Sequence, residues 1–386
     1  MKVRTRDDAV ALDDADLLAP FRDEFVIADP ALIYLDGNSL GMLPRRTIER
    51  LERVVGDEWG GGLIRSWDHW IDLPQRVGDR LAPLIGAAPG EVVVHDSTTV
   101  NLYQLVDAAC ALRPDRRVIA ISPNDFPTDR YVVDGIAAAR GLHVRAGFDG
   151  LDDVAVMVRS VVDYRTAEVA DVAGETARAR SAGALALWDL SHAAGVVATD
   201  LTVAGAQLAV GCTYKYLNGG PGSPAFSYVA RELQPMLPQP IWGWFAQTEQ
   251  FRMGATFAPQ PDMRRLLLGT PSVLAMVCAE EGIALTAAAG IESVQAKAQA
   301  LTQLALDLCE ERGLTTTTPR QPSRRGGHVA VQHPDAGRLV GRLAAGGVIT
   351  DFRDPDIVRI GCSPLTTRFV DVFDGVTALD QLVQRT

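Results

Sequence analysis

A run of hydroxyl side chains stands at the start of a predicted helix near residue 97. Ser97, Thr98 and Thr99 follow the apolar stretch EVVVHD and open the segment TVNLYQLVDAACAL, which has a helical pattern. Hydroxyl groups at a helix start can cap the helix, and with its free N–H groups they can bind an anion such as phosphate. Taken alone, such a run is also an ordinary N-cap, so both interpretations stay open.

An acidic residue ends a later apolar run. Asp189 directly follows ALALW, and an ionised carboxylate in that position needs a partner. One use for it is to hold a proton on a heterocyclic nitrogen such as a pyridinium, and His192, three residues on, can share that site. The alternative is an aspartate that caps the next helix, with His192 as a packing residue.

A lysine precedes a glycine-rich loop in the segment CTYKYLNGGPG, residues 212–222. Lys215 follows a strand that reads as buried, and a lysine in a partly desolvated site can become an imine-forming nucleophile. The glycines allow unusual backbone angles and close approach to a ligand. Neither the nucleotide P-loop spacing nor a G-x-G-x-x-G after the first strand is present. The alternative is a surface lysine beside a loop.

The order of these three features narrows their chemistry. Together they supply an anion site, a carboxylate for a ring nitrogen and an amine that traps an aldehyde, and pyridoxal phosphate needs all three. No metal-ligand spacing accompanies them, so no metal is expected. The sequence therefore predicts a pyridoxal-phosphate site built on Thr98, Thr99, Asp189 and Lys215.

Short apolar runs alternate with helical patterns from about residue 90 to 230. Runs that are apolar on both faces predict the strands of a mostly parallel sheet with helices between them, which is the α/β class. Ligands in such sheets gather beyond the carboxyl ends of the strands, where the three features stand. The predicted strands are EVVVHD, RRVIAISP, LHVRAG, VAVMVRSV, ALALWDLS, AQLAVGCT and SPAFSYVA.

The pattern changes beyond residue 272. One long Ala-rich helical segment is predicted to end at Gly313, and HVAVQHP, GVITDFR and DIVRIG follow as short strands. The first 45 residues are expected to form an extended arm. We therefore divide the chain into an N-terminal arm and helix (1–65), a large cofactor-binding α/β domain (66–272) and a small C-terminal α+β domain (273–386).

Composition narrows the class of protein. The chain of 386 residues has a formal net charge of −11, which argues against nucleic acid or an anionic membrane as its main partner. Its five cysteines have no metal-binding spacing, and an odd count suits a reducing compartment. No signal-peptide pattern opens the chain, and no stretch approaches the roughly 18 apolar residues of a membrane span. We therefore expect a cytoplasmic protein.

The sequence resembles the kynureninase family along nearly its full length. The blocks that carry the resemblance are YLDGNSLG (34–41), STTVNLY (97–103), NDFPTDRY (124–131), WDLSHAAG (188–195), TYKYLNGGPG (213–222), GWF (243–245) and RIGCSPLTTRF (359–369). They stand in the family's order, and FPTD and YKYLNGGPG are rare combinations. The resemblance implies the PLP-dependent transferase-like fold (fold type I), whose members are homodimers with active sites at the subunit interface.

Matching positions imply roles around the cofactor. Lys215 would form the Schiff base with its aldehyde, and Asp189 would pair with its ring nitrogen. Phe126 would stack on the ring, and Tyr214 would bond the phosphate and handle protons. The other positions that the resemblance places at the cofactor are Thr98, Thr99, Asp129, Ser160, His192 and, from the neighbouring subunit, Trp244 and Thr270.

On the substrate side, the resemblance implies that Arg359 clamps the α-carboxylate through the bidentate geometry of arginine. Ser39 and Trp67 would line the same side. Trp67 is similar to the bacterial form of the family, which favours kynurenine over its 3-hydroxy derivative, and the alternative is a packing cluster with neighbouring tryptophans. One departure is Thr366, where the family commonly has tyrosine.

The implied activity is hydrolytic cleavage of the Cβ–Cγ bond of L-kynurenine, or of its 3-hydroxy derivative, to anthranilate (3-hydroxyanthranilate) and L-alanine in tryptophan catabolism. The kynurenine pathway that contains this step leads either to degradation or to NAD biosynthesis. Lys215 would move the proton at Cα, and Tyr214 would serve the γ-carbonyl. Two other classes stay open. One is another fold-type-I enzyme such as a cysteine desulfurase, for which Cys362 would be the candidate thiol, and the other is a non-catalytic protein that binds pyridoxal phosphate or kynurenine.

Overall fold

The computed structural model describes residues 3–385. Its strands are β1 (Ile33–Tyr34), β2 (Val92–His95), β3 (Val118–Ile121), β4 (His143–Ala146), β5 (Val154–Ser160), β6 (Leu185–Asp189), β7 (Leu208–Gly211), β8 (Ala225–Val229), β9 (His328–Gln332), β10 (Val348–Ile349), β11 (Asp351–Arg353) and β12 (Ile357–Gly361). Its α-helices are α1 (Arg6–Asp14), α2 (Arg45–Arg53), α3 (Trp67–Trp70), α4 (Leu73–Leu81), α5 (Thr98–Ala111), α6 (Pro127–Arg140), α7 (Val172–Ser181), α8 (Val273–Ala289), α9 (Ile291–Glu311), α10 (Ala336–Ala345) and α11 (Phe369–Val383).

Seven strands form the central sheet, in the order β2-β8-β7-β6-β5-β3-β4. β8 runs antiparallel to both of its neighbours, and the other pairings in the sheet are parallel. Each of the seven predicted strand segments contains one of these strands. The prediction of an α/β fold with a mostly parallel central sheet is therefore confirmed.

Both faces of the sheet are buried. In β6, Ala186 and Trp188 belong to the apolar cluster on one face, and Leu185 and Leu187 belong to the cluster on the other. Successive side chains of a strand point to opposite faces, so a strand covered on both sides must be apolar throughout. Helices such as α5, against β5, β7 and β8, supply that cover. This is why the central strands are continuous apolar runs.

A second unit combines the two ends of the chain. β9, β12 and β11 form a three-stranded antiparallel sheet, and β1 pairs in parallel with β10. α1 packs on α11, and Leu35 is buried in the same apolar cluster as residues of α9 and α11. The N-terminal segment thus lies on the C-terminal unit. The domain boundaries at 65/66 and 272/273 stay predictions.

The extended arm expected for the first 45 residues is wrong for residues 6–14, which form α1. A capping box starts this helix. The Thr5 hydroxyl accepts a hydrogen bond from the Asp8 N–H (3.2 Å), and the Asp8 carboxylate accepts one from the Thr5 N–H (2.9 Å). A threonine followed three residues later by an acidic residue is a recognised signal for the start of a helix, and the amino-acid composition of the segment does not reveal it.

The Ala-rich helical segment predicted to end at Gly313 is helical up to Glu311, but it is divided into two helices at Gly290. That residue has φ of +77°, which glycine adopts without steric cost, and α8 and α9 meet at an angle of 82°. Among the helices of residues 3–385, none alone is long and apolar enough to cross a membrane, and this bent pair is the one combination that passes on length and composition. The segment GVITDFR likewise divides into β10 and β11, which belong to different sheets.

Candidate active site

A cavity of about 210 Å³ lies at the carboxyl ends of the central strands. Asp189 is the last residue of β6, Lys215 follows β7, and Thr98 begins α5 shortly after β2. These are the strand ends at which ligands gather in a parallel α/β sheet. Nine residues predicted from the sequence line the cavity: Ser39, Thr98, Thr99, Phe126, Asp129, Asp189, His192, Tyr214 and Lys215.

Lys215 supplies the amine of this cavity. The chain contains three lysines, of which Lys2 lies outside the described residues. Lys297 is buried in an ion pair with Asp16 at 2.6 Å. The Lys215 Nζ instead lies 3.2 Å from the Nε2 of His192 and has no carboxylate ion-pair partner within residues 3–385. Its amine is therefore available to a ligand in the cavity.

His192 is a buried, neutral neighbour of that amine. Burial, the Lys215 ammonium and the Arg359 guanidinium lower the pKa of His192 well below its usual value. Lys215 and Arg359 are both donors, and both lie near Nε2, at 3.2 and 3.5 Å. The Lys215 Nζ also lies 3.4 Å from Nδ1, so either ring nitrogen of the neutral imidazole can accept from it, and His192 orients Lys215 without adding charge.

Asp189 is a buried carboxylate held by the turn that follows β6. One of its oxygens accepts hydrogen bonds from the Ser191 N–H (2.8 Å) and the Ser191 hydroxyl (2.6 Å). Burial raises the pKa of Asp189, whereas these hydrogen bonds and the nearby Lys215 lower it. The residue holds the turn that follows β6 and caps no helix among residues 3–385, unlike the alternative from the sequence, and it faces the cavity.

Asp129, in the first turn of α6, shares a proton with Asp189. Burial and the carboxylates of Asp189 and Asp125 raise the pKa of Asp129 well above its usual value, and its carboxyl is hydrogen-bonded to Asp189. Two buried carboxylates in contact cannot both be ionised. The proton therefore stays on Asp129, and Asp189 carries the charge.

Asp125 is a third acidic residue beside Asp129 and Asp189. Its raised pKa predicts that the free energy of unfolding depends on pH. Its Oδ1 accepts a hydrogen bond from the Ser160 N–H (2.9 Å), while its Oδ2 is buried without a partner. Burial and Asp189 raise the pKa of Asp125 to about 7, against the Ser160 N–H and Arg159, which lower it. An unfolded aspartate has a pKa of about 3.9. The stabilising contribution of this group is therefore complete below about pH 4, declines as the pH rises to about 7, and is constant above.

Asp125→Asn removes this titration and keeps the acceptor for Ser160. We expect the melting temperature of the cofactor-free variant, relative to the unchanged protein, to rise between pH 5 and pH 7.5. Asp153→Asn is the matched control, because a hydrogen bond from Arg145 lowers the pKa of Asp153. Loss of that ionised carboxylate should lower the melting temperature throughout this pH range. A difference for Asp125→Asn that is independent of pH would contradict this account.

The N-terminus of α5 keeps free donors beside the cavity. Ser97 is the N-cap, and its hydroxyl accepts a hydrogen bond from the Val100 N–H (3.4 Å). Thr98 and Thr99 line the cavity, and neither hydroxyl has a hydrogen-bond partner within residues 3–385. The first N–H groups of a helix have no partner within the helix, so they favour an anion. The residue that caps α5 is therefore distinct from the two threonines that line the cavity.

Two aromatic residues border the amine. Phe126 is the N-cap of α6, and its ring centre lies 6.0 Å from the Lys215 Nζ. The Tyr214 ring centre lies 5.8 Å from the same atom. Burial raises the pKa of Tyr214 above its usual value, so its hydroxyl keeps its proton at neutral pH. The Tyr214 hydroxyl can therefore donate a hydrogen bond to a ligand in the cavity.

Arg359, in β12, lies behind the cavity wall and is fully buried. It forms an ion pair with Asp351, donates to the Tyr164 carbonyl (2.7 Å) and lies 3.3 Å from the Ser39 hydroxyl. It thus reaches the cavity through Ser39 and His192. Its role as the substrate clamp stays a prediction.

Besides Arg359, four predicted residues do not line this cavity. Ser160 lies beside Asp189 in the sheet, where its backbone N–H donates to Asp125. Trp67 packs edge-on against Trp70, with ring centres 6.3 Å apart, as the packing alternative expects. Trp244 packs on Trp67 (6.5 Å), and Thr270 is exposed and borders another cavity. The roles of these four residues stay predictions.

Sequence reasoning missed several residues that the structure places here. Thr128, Ser191 and Arg353 line the cavity, and Asp125 lies beside it. Thr128 and Asp125 belong to the block NDFPTDRY, and Ser191 belongs to WDLSHAAG, so those blocks contained a signal. Arg353 had none, because it is one of many arginines near the end of the chain.

The residues present fit pyridoxal phosphate. The Asp189–Asp129 pair carries one negative charge in a buried place, and one Asp129 oxygen is buried without a partner. A protonated ring nitrogen would complement that charge. The start of α5 complements a phosphate, and the free Lys215 amine complements an aldehyde. These are the three groups by which proteins hold this cofactor.

Comparison with known proteins identifies relatives over the whole chain. Residues 294–379 match the family model described as the kynureninase C-terminal domain. The kynureninase of Pseudomonas fluorescens is 42% identical across 99% of this chain and 96% of its own length. The kynureninase of Burkholderia pseudomallei strain K96243 is 44% identical with the same coverage.

Solved structures give the fold. A cysteine desulfurase of Thermococcus onnurineus NA1 superimposes with a TM-score of 0.82 at 16% identity, over 95% of this chain and 98% of that one. A cysteine desulfurase of Escherichia coli has a TM-score of 0.80 at 19% identity, over 95% and 98%. At such identities the likeness concerns the fold alone, and the fold-type-I prediction is confirmed.

Proposed function

The chain belongs to the kynureninase family, and from that premise we propose that the cavity around Lys215 hydrolyses L-kynurenine to anthranilate and L-alanine with pyridoxal phosphate. The observation that carries the proposal is the convergence in one cavity of an unpaired amine, a buried charged carboxylate and a free helix N-terminus. These groups come from three separate strand ends. The function follows from the site, since the fold alone serves many reactions.

When bound, pyridoxal phosphate supplies an aldehyde that joins the substrate amine and a ring that accepts electrons from the substrate carbons. Thr98 and Thr99 would hold the phosphate at the start of α5. Asp189 would keep a proton on the ring nitrogen, and Asp129 would support it by donating its own proton to Asp189. Phe126 would cover one face of the ring.

Lys215 and Tyr214 divide the proton transfers. Once the substrate amine has replaced it, the Lys215 amine removes the proton at Cα. It later returns a proton to the same carbon. Tyr214 keeps its hydroxyl proton at neutral pH, so it acts first as an acid toward the γ-carbonyl oxygen while water adds to that carbon. The Cβ–Cγ bond then breaks and anthranilate leaves, and the remaining three-carbon unit takes up one proton at Cβ and one at Cα to become L-alanine.

A direct assay tests this function. Purified protein should be yellow, and L-kynurenine should yield anthranilate and L-alanine in equal amounts, followed by anthranilate fluorescence and by amino-acid analysis. The equality follows because one bond cleavage releases both products. A colourless protein, or a yellow one that leaves kynurenine unchanged, would refute the proposal.

The desulfurase alternative makes a different demand on Cys362. That thiol is fully buried in the apolar cluster of the C-terminal unit, and burial raises the pKa of Cys362 to about 12. A reactive thiol needs an exposed position and a lowered pKa. Cys362→Ala should therefore leave kynurenine turnover within about threefold of the unchanged enzyme, and release of sulfur from L-cysteine that depends on Cys362 would favour the desulfurase.

We further propose that the protein is a cytoplasmic homodimer with shared active sites. All five cysteines are free thiols, which suits a reducing compartment. Trp244 and Thr270 do not line the cavity of their own subunit, which supports assigning them to the partner's site. Exposed apolar side chains accumulate in the segments 59–64 and 242–253, as an interface requires: Trp59, Leu63, Ile64, Trp242, Phe251 and Met253.

A further inference from the structure

Two arginines of the C-terminal unit share one carboxylate beside the cavity. Asp351 and Arg353 stand two residues apart in β11, so their side chains lie on the same face, and Arg359 lies opposite Asp351 in β12. Asp351 forms ion pairs with both arginines, at 2.8 Å between its Oδ2 and the Nη2 of Arg353. It also accepts a hydrogen bond from the Ser39 hydroxyl (2.8 Å).

The donors of Arg359 are committed to the protein. Its Nε donates to the Asp351 Oδ1 (2.7 Å), and its Nη1 donates to the Tyr164 carbonyl (2.7 Å). Its Nη2 faces Asp351 and the Ser39 hydroxyl, and the side chain has no exposed surface. A ligand can reach this guanidinium only if one of those partners gives way.

Arg353 differs from Arg359 both in its hydrogen bonds and in its exposure. It lines the cavity with Lys215, and about a third of its side chain is exposed (32%). Its Nη1 donates to the Phe352 carbonyl (3.0 Å), but its Nε has no partner among residues 3–385. Burial and the neighbouring Arg359 lower the pKa of Arg353 more than Asp351 and Asp36 raise it, so the guanidinium can accept further negative charge. An incoming carboxylate would supply that charge.

The distance to the amine suits an α-amino acid. His192 contacts both ends of the site, with its Nε2 3.2 Å from the Lys215 Nζ and 3.5 Å from the Arg359 Nη1. A single nitrogen atom of His192 thus lies between the amine and Arg359, and Arg353 lines the same cavity as the amine. In an α-amino acid a single carbon joins amine and carboxylate, so a substrate whose amine takes the place of Lys215 directs its carboxylate to the arginine side.

We propose that Arg353 is a second arginine of the α-carboxylate site: it meets the substrate carboxylate at the cavity, and Asp351 positions it together with Arg359. The inference rests on the proposed function for the identity of the substrate. It assigns specificity for the carboxylate to Arg353, and it makes Asp351 a positioning residue that keeps two like charges side by side.

The test compares holoenzymes of the unchanged protein, Arg353→Gln and Arg353→Lys. Loss of a charge-assisted hydrogen bond should raise the KM for L-kynurenine about 10- to 100-fold for Arg353→Gln, with kcat within about threefold. Arg353→Lys keeps the charge and should fall between the two. The inhibition constant of kynuramine, which is kynurenine without its carboxylate, should not change. Arg338→Gln is the matched control, since Arg338 is an exposed arginine of α10 paired with Asp335.

A second readout separates this inference from the proposed function. Binding of L-alanine, followed by the absorption change of the holoenzyme, should weaken about 10- to 100-fold in Arg353→Gln, while binding of ethylamine should not change. If the unchanged holoenzyme makes no anthranilate, the proposed function fails, and alanine binding still tests Arg353. An unaltered KM and alanine affinity in Arg353→Gln would overturn the inference, and so would an equal loss of affinity for kynuramine.

Discussion

Lys215→Ala should lose at least about 1,000-fold in anthranilate formation, because one side chain performs two tasks. General acid–base transfer by a positioned group alone contributes about 10²- to 10⁴-fold. Lys215 is also the only amine that the described chain presents to the cavity, so the aldehyde loses its covalent anchor. Lys215→Arg keeps a cation beside His192 but cannot form an imine, and it should be as inactive. Turnover with saturating kynurenine and added cofactor measures the loss.

Borohydride provides the control for this prediction. Reduction of the yellow protein should fix the cofactor on one peptide, and mass spectrometry should locate it at Lys215. The other two lysines serve as internal controls, since Lys297 is occupied by Asp16 and Lys2 stands near the chain start. A tag on Lys297 or Lys2, or a Lys215→Ala variant that keeps a tenth of the activity, would show that the assignment is wrong.

Asp189→Ala should lower turnover about 10²- to 10⁴-fold and weaken cofactor binding. A neutral pyridine ring is a poor electron sink, and the charge that keeps its nitrogen protonated lies on Asp189 in a buried place where water cannot replace it. Asp189→Asn removes the charge with little change in shape and should behave similarly. Titration of cofactor-free variants with pyridoxal phosphate, followed by steady-state kinetics, gives both quantities.

Asp129→Asn is the matched comparison, because the two aspartates differ in protonation. Asp129 already holds the shared proton, so an asparagine amide can donate to Asp189 in its place, and turnover should fall less than about tenfold. Near-normal turnover of Asp189→Ala would contradict the assignment. A larger loss for Asp129→Asn than for Asp189→Asn would instead place the charge on Asp129.

Several local patterns were sufficient to predict much of the fold and part of the site. The seven central strands were predictable because a strand buried on both faces must be apolar along its length, as β6 is. Thr98, Asp189 and Lys215 were predictable as one group because parallel strands bring their carboxyl ends to the same edge. Their roles toward the cofactor stay predictions, although the structure places them in one cavity.

Other local features were present in the sequence and were misjudged. The capping box at Thr5 and Asp8 predicts a helix where an extended arm was expected. Gly290 lies within a long Ala-rich run, and glycine in a helical pattern is either tolerated or a break. The choice depends on the packing of α8 and α9 against different parts of the protein, which a single segment does not contain.

The sequence by itself determined the α/β class and the order in which the hydroxyl residues, the aspartate and the lysine follow the strands, because each depends on a short stretch of chain. Only the tertiary structure decided the proton on Asp129, the carboxylate shared by Arg353 and Arg359, and the positions of Trp67 and Trp244 outside the cavity. These properties arise where segments far apart in sequence meet. The burial of a residue and the electrostatic field at it depend on all the segments that pack around it, and a local sequence pattern does not show which segments those are.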